Sequence, residues 1–180
     1  HHTSLIDEIK KELNDLCEST DFAAIQAGLT KRKGGGPDTQ DEYDKLVSKK
    51  NELVEACKAA LVELKAATDP NVITDGLDEW EPYASATKET REDERQRWVE
   101  LIDIAREEIT SAIHTVDINV KTMDEVLQKY ETYPSDVQML LAKLKDKLTG
   151  FLETGAMECN AAAATTDFAR ILAMIDKYDS

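Results

Sequence analysis

The side chains best suited to chemistry are few and scattered. His114 is the only histidine apart from His1 and His2. A lone imidazole with no Ser or Cys at a readable spacing makes no nucleophile–base pair. It falls three residues before Asp117, where a helix is expected to end, and an imidazole there complements the helix dipole. Cys17, Cys57 and Cys159 are odd in number, far apart and without a Cys-x-x-Cys or a Cys/His cluster, so they indicate neither a zinc site nor a disulfide framework. Each is expected on or near an apolar helix stripe as a small hydrophobe, which points to a reducing, cytoplasmic setting.

The carboxylates crowd the run Glu89-Thr90-Arg91-Glu92-Asp93-Glu94-Arg95. Di-metal bundles need Glu-x-x-His pairs on facing helices, and the residue three before His114 is Ser111. EF-hand spacing is absent as well. Arg91 and Arg95 are spaced from their acidic neighbours as intrahelical pairs on a solvated face, and no apolar stripe is expected to carry an inward Asp, Glu or His. Lys31-Arg32-Lys33-Gly34-Gly35-Gly36-Pro37 lacks the Walker A order and follows no strand, so it reads as a flexible connector after a basic helix end. No catalytic, cofactor-binding or metal-ligating set is assigned.

The elements that carry these residues are helices. Ala, Leu, Glu and Lys are plentiful, and 7 Gly and 4 Pro are few for 180 residues. Apolar residues recur at alternating spacings of four and three. They do so at Val137, Leu141, Leu144, Leu148, Phe151 and Gly155, at Leu46, Leu53, Cys57, Ala60 and Leu64, and at Trp98, Leu101, Ala105, Ile109 and Ala112. Ile6, Ile9, Leu13 and Leu16 form a shorter stripe. Thr39-Gln40-Asp41-Glu42 and Ser135-Asp136-Val137-Gln138 have capping-box form, and breaks are expected at the triple glycine, near Pro82 and at Pro134.

The pattern repeats. Thr20-Asp21, Thr68-Asp69, Val116-Asp117 and Thr166-Asp167 each precede a shorter apolar-patterned stretch, and the aspartates are spaced by 48, 48 and 50 residues. A short carboxylate at an N-cap accepts hydrogen bonds from the first-turn N–H groups, so Asp21, Asp69, Asp117 and Asp167 are expected to open four short helices, each of about 12–16 residues. Leu29, Leu77 and Ile175 stand eight residues beyond their aspartates, and Leu127 joins them if the third copy carries a two-residue insertion. The expected fold is all-α: about four helical hairpins, a long helix A of about 27–30 residues and a short helix B, stacked as a solenoid or packed as a bundle. The divisions are residues 1–4 (a tag remnant), 5–33 (first repeat), 34–37 (linker), 38–84 (second), 85–134 (third) and 135–180 (fourth). The period is near that of HEAT and armadillo units, but their other signature residues are missing, and no family is assigned.

The net charge of −15 opposes nucleic acid and anionic membrane as ligands, since affinity for phosphates comes from Lys and Arg. No apolar run approaches the roughly 20 residues that cross a bilayer. The expected function is a non-catalytic, cytoplasmic protein–protein interaction or scaffold module, a fragment of a larger cytoskeletal or assembly protein, with self-association open. The alternatives are a helical-bundle enzyme or ligand carrier and a membrane-active bundle. Trp80, Tyr83, Tyr130, Tyr133 and Tyr178 mark the ends of short helices or the starts of long ones, and are the candidate interaction surface. With no ligand set in the sequence, added zinc, calcium or a chelator is expected to leave Tm unchanged. A bound metal at one hundred times its Kd would stabilise the fold by about 2.7 kcal/mol and raise Tm.

Overall fold

The computed structural model describes residues 2–33, 36–116, 118–165 and 167–178, with the side chains of His2, Asp176 and Tyr178 left out of the description. Among the described residues there are eight α-helices and no strand: α1 (His2–Cys17), α2 (Phe22–Arg32), α3 (Gln40–Glu63), α4 (Pro70–Glu79), α5 (Lys88–His114), α6 (Val120–Lys129), α7 (Ser135–Ala163) and α8 (Phe168–Tyr178). Short 3-10 turns cover Pro37–Thr39, Leu64–Ala66 and Glu81–Tyr83. Among the described residues no helix is long and apolar enough to cross a membrane.

Long and short helices alternate, but the short ones have only 10 or 11 residues. α4 stops early because the chain tightens into the 3-10 turn that contains Pro82, whose ring cannot continue a helix. α6 stops at Tyr130, ahead of the turn leading to Pro134. α3 has 24 residues rather than 27 or more because both its ends narrow into 3-10 turns.

Three of the four aspartates accept hydrogen bonds from amides at the start of the helix that follows. Asp21 Oδ1 accepts from the Ala24 amide at 3.0 Å, and Asp69 Oδ1 from the Asn71 amide at 2.9 Å. Asp167 Oδ1 accepts from the amides of Ala169 and Arg170 at 3.1 and 3.2 Å. Asp117 lies outside the described residues; the N-cap of α6 is Asn119, whose Oδ1 accepts from the Thr122 amide at 2.9 Å. The two capping boxes do not form. Thr39 has no side-chain cap bond and turns its hydroxyl to the Gly36 carbonyl, since the 3-10 turn already leads the chain into α3. Ser135 is itself helical, with Pro134 at the cap position.

The chain forms two compact units, His1–Thr68 with Val72–Trp98, and Asp69–Asn71 with Val99–Ser180. In the first, Leu13 of α1, Ile25 and Leu29 of α2, and Leu46 of α3 make one buried cluster. Phe22, Cys57, Leu61 and Tyr83 make a second, with Leu64, Leu77 and Trp80 packed against it. Lys31 and Arg32 at the end of α2 both bond Glu12 of α1 and hold that carboxyl below its usual range, so two of the three cations before the glycines fasten one helix to another. In the second unit Leu101, Ile102, Ala105 and Ile109 of α5, Met123 and Val126 of α6, and Val137, Leu141, Leu144 and Leu148 of α7 are buried. Each of these side chains larger than alanine contributes about 1.5–3 kcal/mol by leaving water.

Two polar fastenings complete that unit. Lys129 and the Tyr130 hydroxyl both donate to Glu108, tying the end of α6 to α5 and holding the Glu108 carboxyl below its usual range. Lys147 of α7 donates to the carbonyls of Ile113 and Thr115 at 2.7 and 2.6 Å, closing the C-terminus of α5. His114, in that same turn, is exposed. Asn119→Ala is expected to cost about 1 kcal/mol in urea unfolding, comparable with Asp21→Ala and Asp167→Ala. A loss seen at Asp117→Ala but not at Asn119→Ala would place the cap two residues earlier.

Candidate functional site

Two residues of the candidate interaction surface lie in the core. Tyr83 is 7% exposed and Tyr130 1% exposed, so both are core residues. Tyr83 stacks on Phe22 with ring centroids 4.4 Å apart and meets the half-buried Trp80 edge-on at 5.4 Å. Tyr130 meets the half-buried Tyr133 edge-on at 4.8 Å, with the Lys129 ammonium over its ring. The side chain of Tyr178 lies outside the described residues. Burial raises the phenols of Tyr83 and Tyr130 above their usual range, as expected of core tyrosines. These rings fill the space where short helices turn into long ones, which is why they recur at the ends of elements.

The charged run at the start of α5 is not wholly solvated. Thr87, Arg91 and Glu94 are buried, and they extend the stripe of Trp98, Leu101 and Ala105 backwards by four, three and four residues. Arg91 donates to the Leu77 carbonyl at 2.9 Å and pairs with Glu81, so its guanidinium closes the end of α4. Glu94 is 0% exposed, and neither of its carboxyl oxygens has a hydrogen-bond partner among the described residues. Burial pushes its carboxyl up, and Asp93 pushes the same way. Lys65 opposes them, but its ammonium is bonded to Asp93 at 2.9 Å. An inward carboxylic acid is therefore present where none was expected from the sequence. No group of three or more His, Cys, Asp or Glu able to hold a metal occurs among the described residues.

Exposed apolar surface gathers at α7 and α8. Phe168, Leu172 and Ile175 stand at i, i+4 and i+7 on α8 and are exposed, while Ile171 and Met174 are half-buried. On α7, Leu152, Ala156 and Cys159 are exposed, one step around the helix from the buried Leu148, Gly155 and Ala162. Cys159 thus lies outside the core, unlike the buried Cys57 and the half-buried Cys17; all three thiols are free. This is an exposed apolar stripe at helical spacing among the described residues. It was missed in the sequence because periodicity gives the face a helix buries or offers, not which of the two it does.

Comparison with family models, with curated proteins and with solved structures gives no match.

Glu94 makes stability depend on pH with a definite sign. Its folded value lies above the ordinary 4.5, so the native state holds the proton more tightly. The stability this confers is complete at acid pH and is lost as pH rises through the folded value. Glu94→Gln should therefore melt higher than wild type near pH 8, and the gap should close towards pH 4. Thermal melts of both proteins across this range check it; parallel curves would mean that Glu94 reaches water or a cation.

Proposed function

We propose that this chain is a non-catalytic helical-repeat interaction or scaffold module, working in the cytoplasm as part of a larger cytoskeletal or assembly protein. Its binding face is the apolar surface of α8 and the neighbouring half of α7. The observation that carries the reading is the exposure of Phe168, Leu172 and Ile175 at one helical spacing on a chain that is one-third charged. The free thiols of Cys17, Cys57 and Cys159 support a reducing compartment.

The repeat reading gains support from the cap at Asn119. With it, the caps Asp21, Asp69, Asn119 and Asp167 are spaced by 48, 50 and 48 residues. Leu29, Leu77, Leu127 and Ile175 then all stand eight residues on, with no insertion inside the third copy. Gly28 and Gly76 occupy one position of this register, and each lies against a leucine, Leu16 and Leu64, that is likewise 48 residues from the other.

The alternative of a helical-bundle enzyme or carrier has one observation in its favour, the buried Glu94. Against it, Arg91, the nearest buried cation along the same stripe, is spent on the Leu77 carbonyl and Glu81.

The test is comparative capture. Wild type and a Phe168→Asp, Leu172→Asp double variant, with matching circular dichroism, are used as bait in a cytosolic extract. A protein held by wild type and lost from the variant is the expected result. Identical recoveries would remove α8 as the binding face.

A further inference from the structure

Counted from the caps Asp21, Asp69 and Asn119, the same positions line a groove between a short helix and the long helix that follows it. Leu29, Leu77 and Leu127 lie eight residues on, and Lys33, Glu81 and Glu131 twelve on. The long helix adds Tyr43, Arg91 or Leu141, each twenty-two on. The shape recurs and the charge does not. In the α4–α5 groove, of about 210 Å³, Glu81 meets Arg91, so acid and cation both belong to the chain. The α6–α7 groove sets Asp124 and Glu131 beside Lys145. The α2–α3 groove, of about 720 Å³, is lined by Lys33 and Lys50 and by no Asp or Glu, in a chain with 37 acidic and 22 basic side chains.

The acids of α3 turn elsewhere. Asp41, Asp44 and Glu52 line a groove beside α1, and Glu42 pairs with Lys10 of α1 at 3.8 Å. Lys31 and Arg32 are spent on Glu12, but neither Lys33 nor Lys50 has an ion pair among the described residues, and the Tyr43 hydroxyl has no hydrogen bond there.

Resting on the repeat reading above for the register of the grooves, we infer that the α2–α3 groove binds an acidic, extended peptide segment of a partner protein, at a site separate from the α8 face. α2 and α3 run antiparallel, with Phe22 packed among Cys57 and Leu61 and Leu29 with Leu46. Lys33 therefore lies at the Tyr43 end and Lys50 at the other, about 10 Å along α3 at roughly 1.5 Å per residue. An extended chain with three residues per turn rises about 3.1 Å per residue, so carboxylates at i and i+3 stand about 9 Å apart on one side and reach both ammonium groups. Between the lysines, Leu29, Val47 and the small Ala27 give an apolar floor for an aliphatic side chain. The net charge of −15 does not oppose this, since at physiological salt exposed charges more than about 8 Å away are largely screened.

The probe is a short labelled peptide with two glutamates three residues apart and leucine and proline between them, titrated with the intact chain by fluorescence anisotropy at low salt. Saturable binding is expected. It should weaken about ten-fold or more in a Lys33→Glu, Lys50→Glu double variant with unchanged circular dichroism, and should weaken likewise at high salt. Absence of binding would overturn the inference. So would binding indifferent to the double variant, or equal binding of the same peptide with glutamines in place of its glutamates. Light scattering across concentration supplies the other arm: a dimer dissolved by the double variant would assign the groove to an acidic segment of a second copy and likewise overturn it. The Phe168→Asp, Leu172→Asp variant is expected to bind the peptide as wild type does. If the peptide fails while that variant still loses its captured partner, the α8 face stands and only the groove falls.

Discussion

A Cβ on Gly28 would come within 2.3 Å of Leu16 Cδ1, and one on Gly76 within 2.6 Å of Leu64 Cδ1. At these two points the end of a leucine side chain fills the space that a Cβ on the short helix would take, so any larger residue would push that leucine aside. The short helices of the first unit lie against the leucines that precede them through this contact. Helices of 10 or 11 residues are marginal alone in water, because nucleation is costly and few hydrogen bonds follow it. They persist here because one side is pressed onto the preceding long helix while the other is free to meet the next. Glycine costs each short helix about 1 kcal/mol of propensity relative to alanine, which the packing of Leu16 and Leu64 must offset. In the fourth hairpin the sizes are exchanged: the residue in the leucine position is Ala162 and that in the glycine position is Met174. Ala162 is buried and Met174 half-buried there.

The buried polar residues of α5 have two different standings. Arg91 takes up the Leu77 carbonyl, which the end of α4 would otherwise leave unbonded, and its charge is met by Glu81. Removing it would strand both partners. Glu94 satisfies nothing. A buried ionised carboxylate costs several kcal/mol even after relaxation, so the native state favours the protonated acid. The junction of α4 with α5 is thus fastened by a cation, with an acid further along the same stripe whose charge the fold resists.

The long helices and their inward stripes were legible because spacings of four and three are a direct image of helical geometry. Val137, Leu141, Leu144 and Leu148 are buried as that spacing requires. The aspartate caps were legible because few residue types serve the purpose. What the pattern hid was hidden for physical reasons. Trp98 looked like the start of its stripe because the residues before it are charged; stepping back by four and three reaches Glu94 and Arg91, both buried. Helical spacing, not charge, decides which face of α5 turns inward there. Asn119 lost to Asp117 because both can cap a helix, although the positions of Leu127 and Tyr130 relative to the other copies favour Asn119. The exposure of Phe168 was not legible at all, since Phe22 has the same local sequence context, Thr-Asp-Phe-Ala, and is buried.

That pair of phenylalanines also bounds how strongly the open face can bind. Fully burying Phe168, Leu172 and Ile175 would gain about 1.5–3 kcal/mol each, and part of that area is already covered. Association costs at least about 4 kcal/mol in lost freedom before side-chain ordering is added. α8 packs on α7, and its Lys177–Glu158 pair, partly exposed, adds little. The α8 stripe alone therefore leaves little margin for tight binding. α2 escapes the limit because its covering helix is tethered by a short connection, so closure is intramolecular and little freedom is left to lose. A helix not joined to α8 by a short connection would lack that tether. It must either run along α7 to cover more surface or be one of several contacts made together. A partner bound at a face of this strength would be held firmly only where several modest contacts act at once.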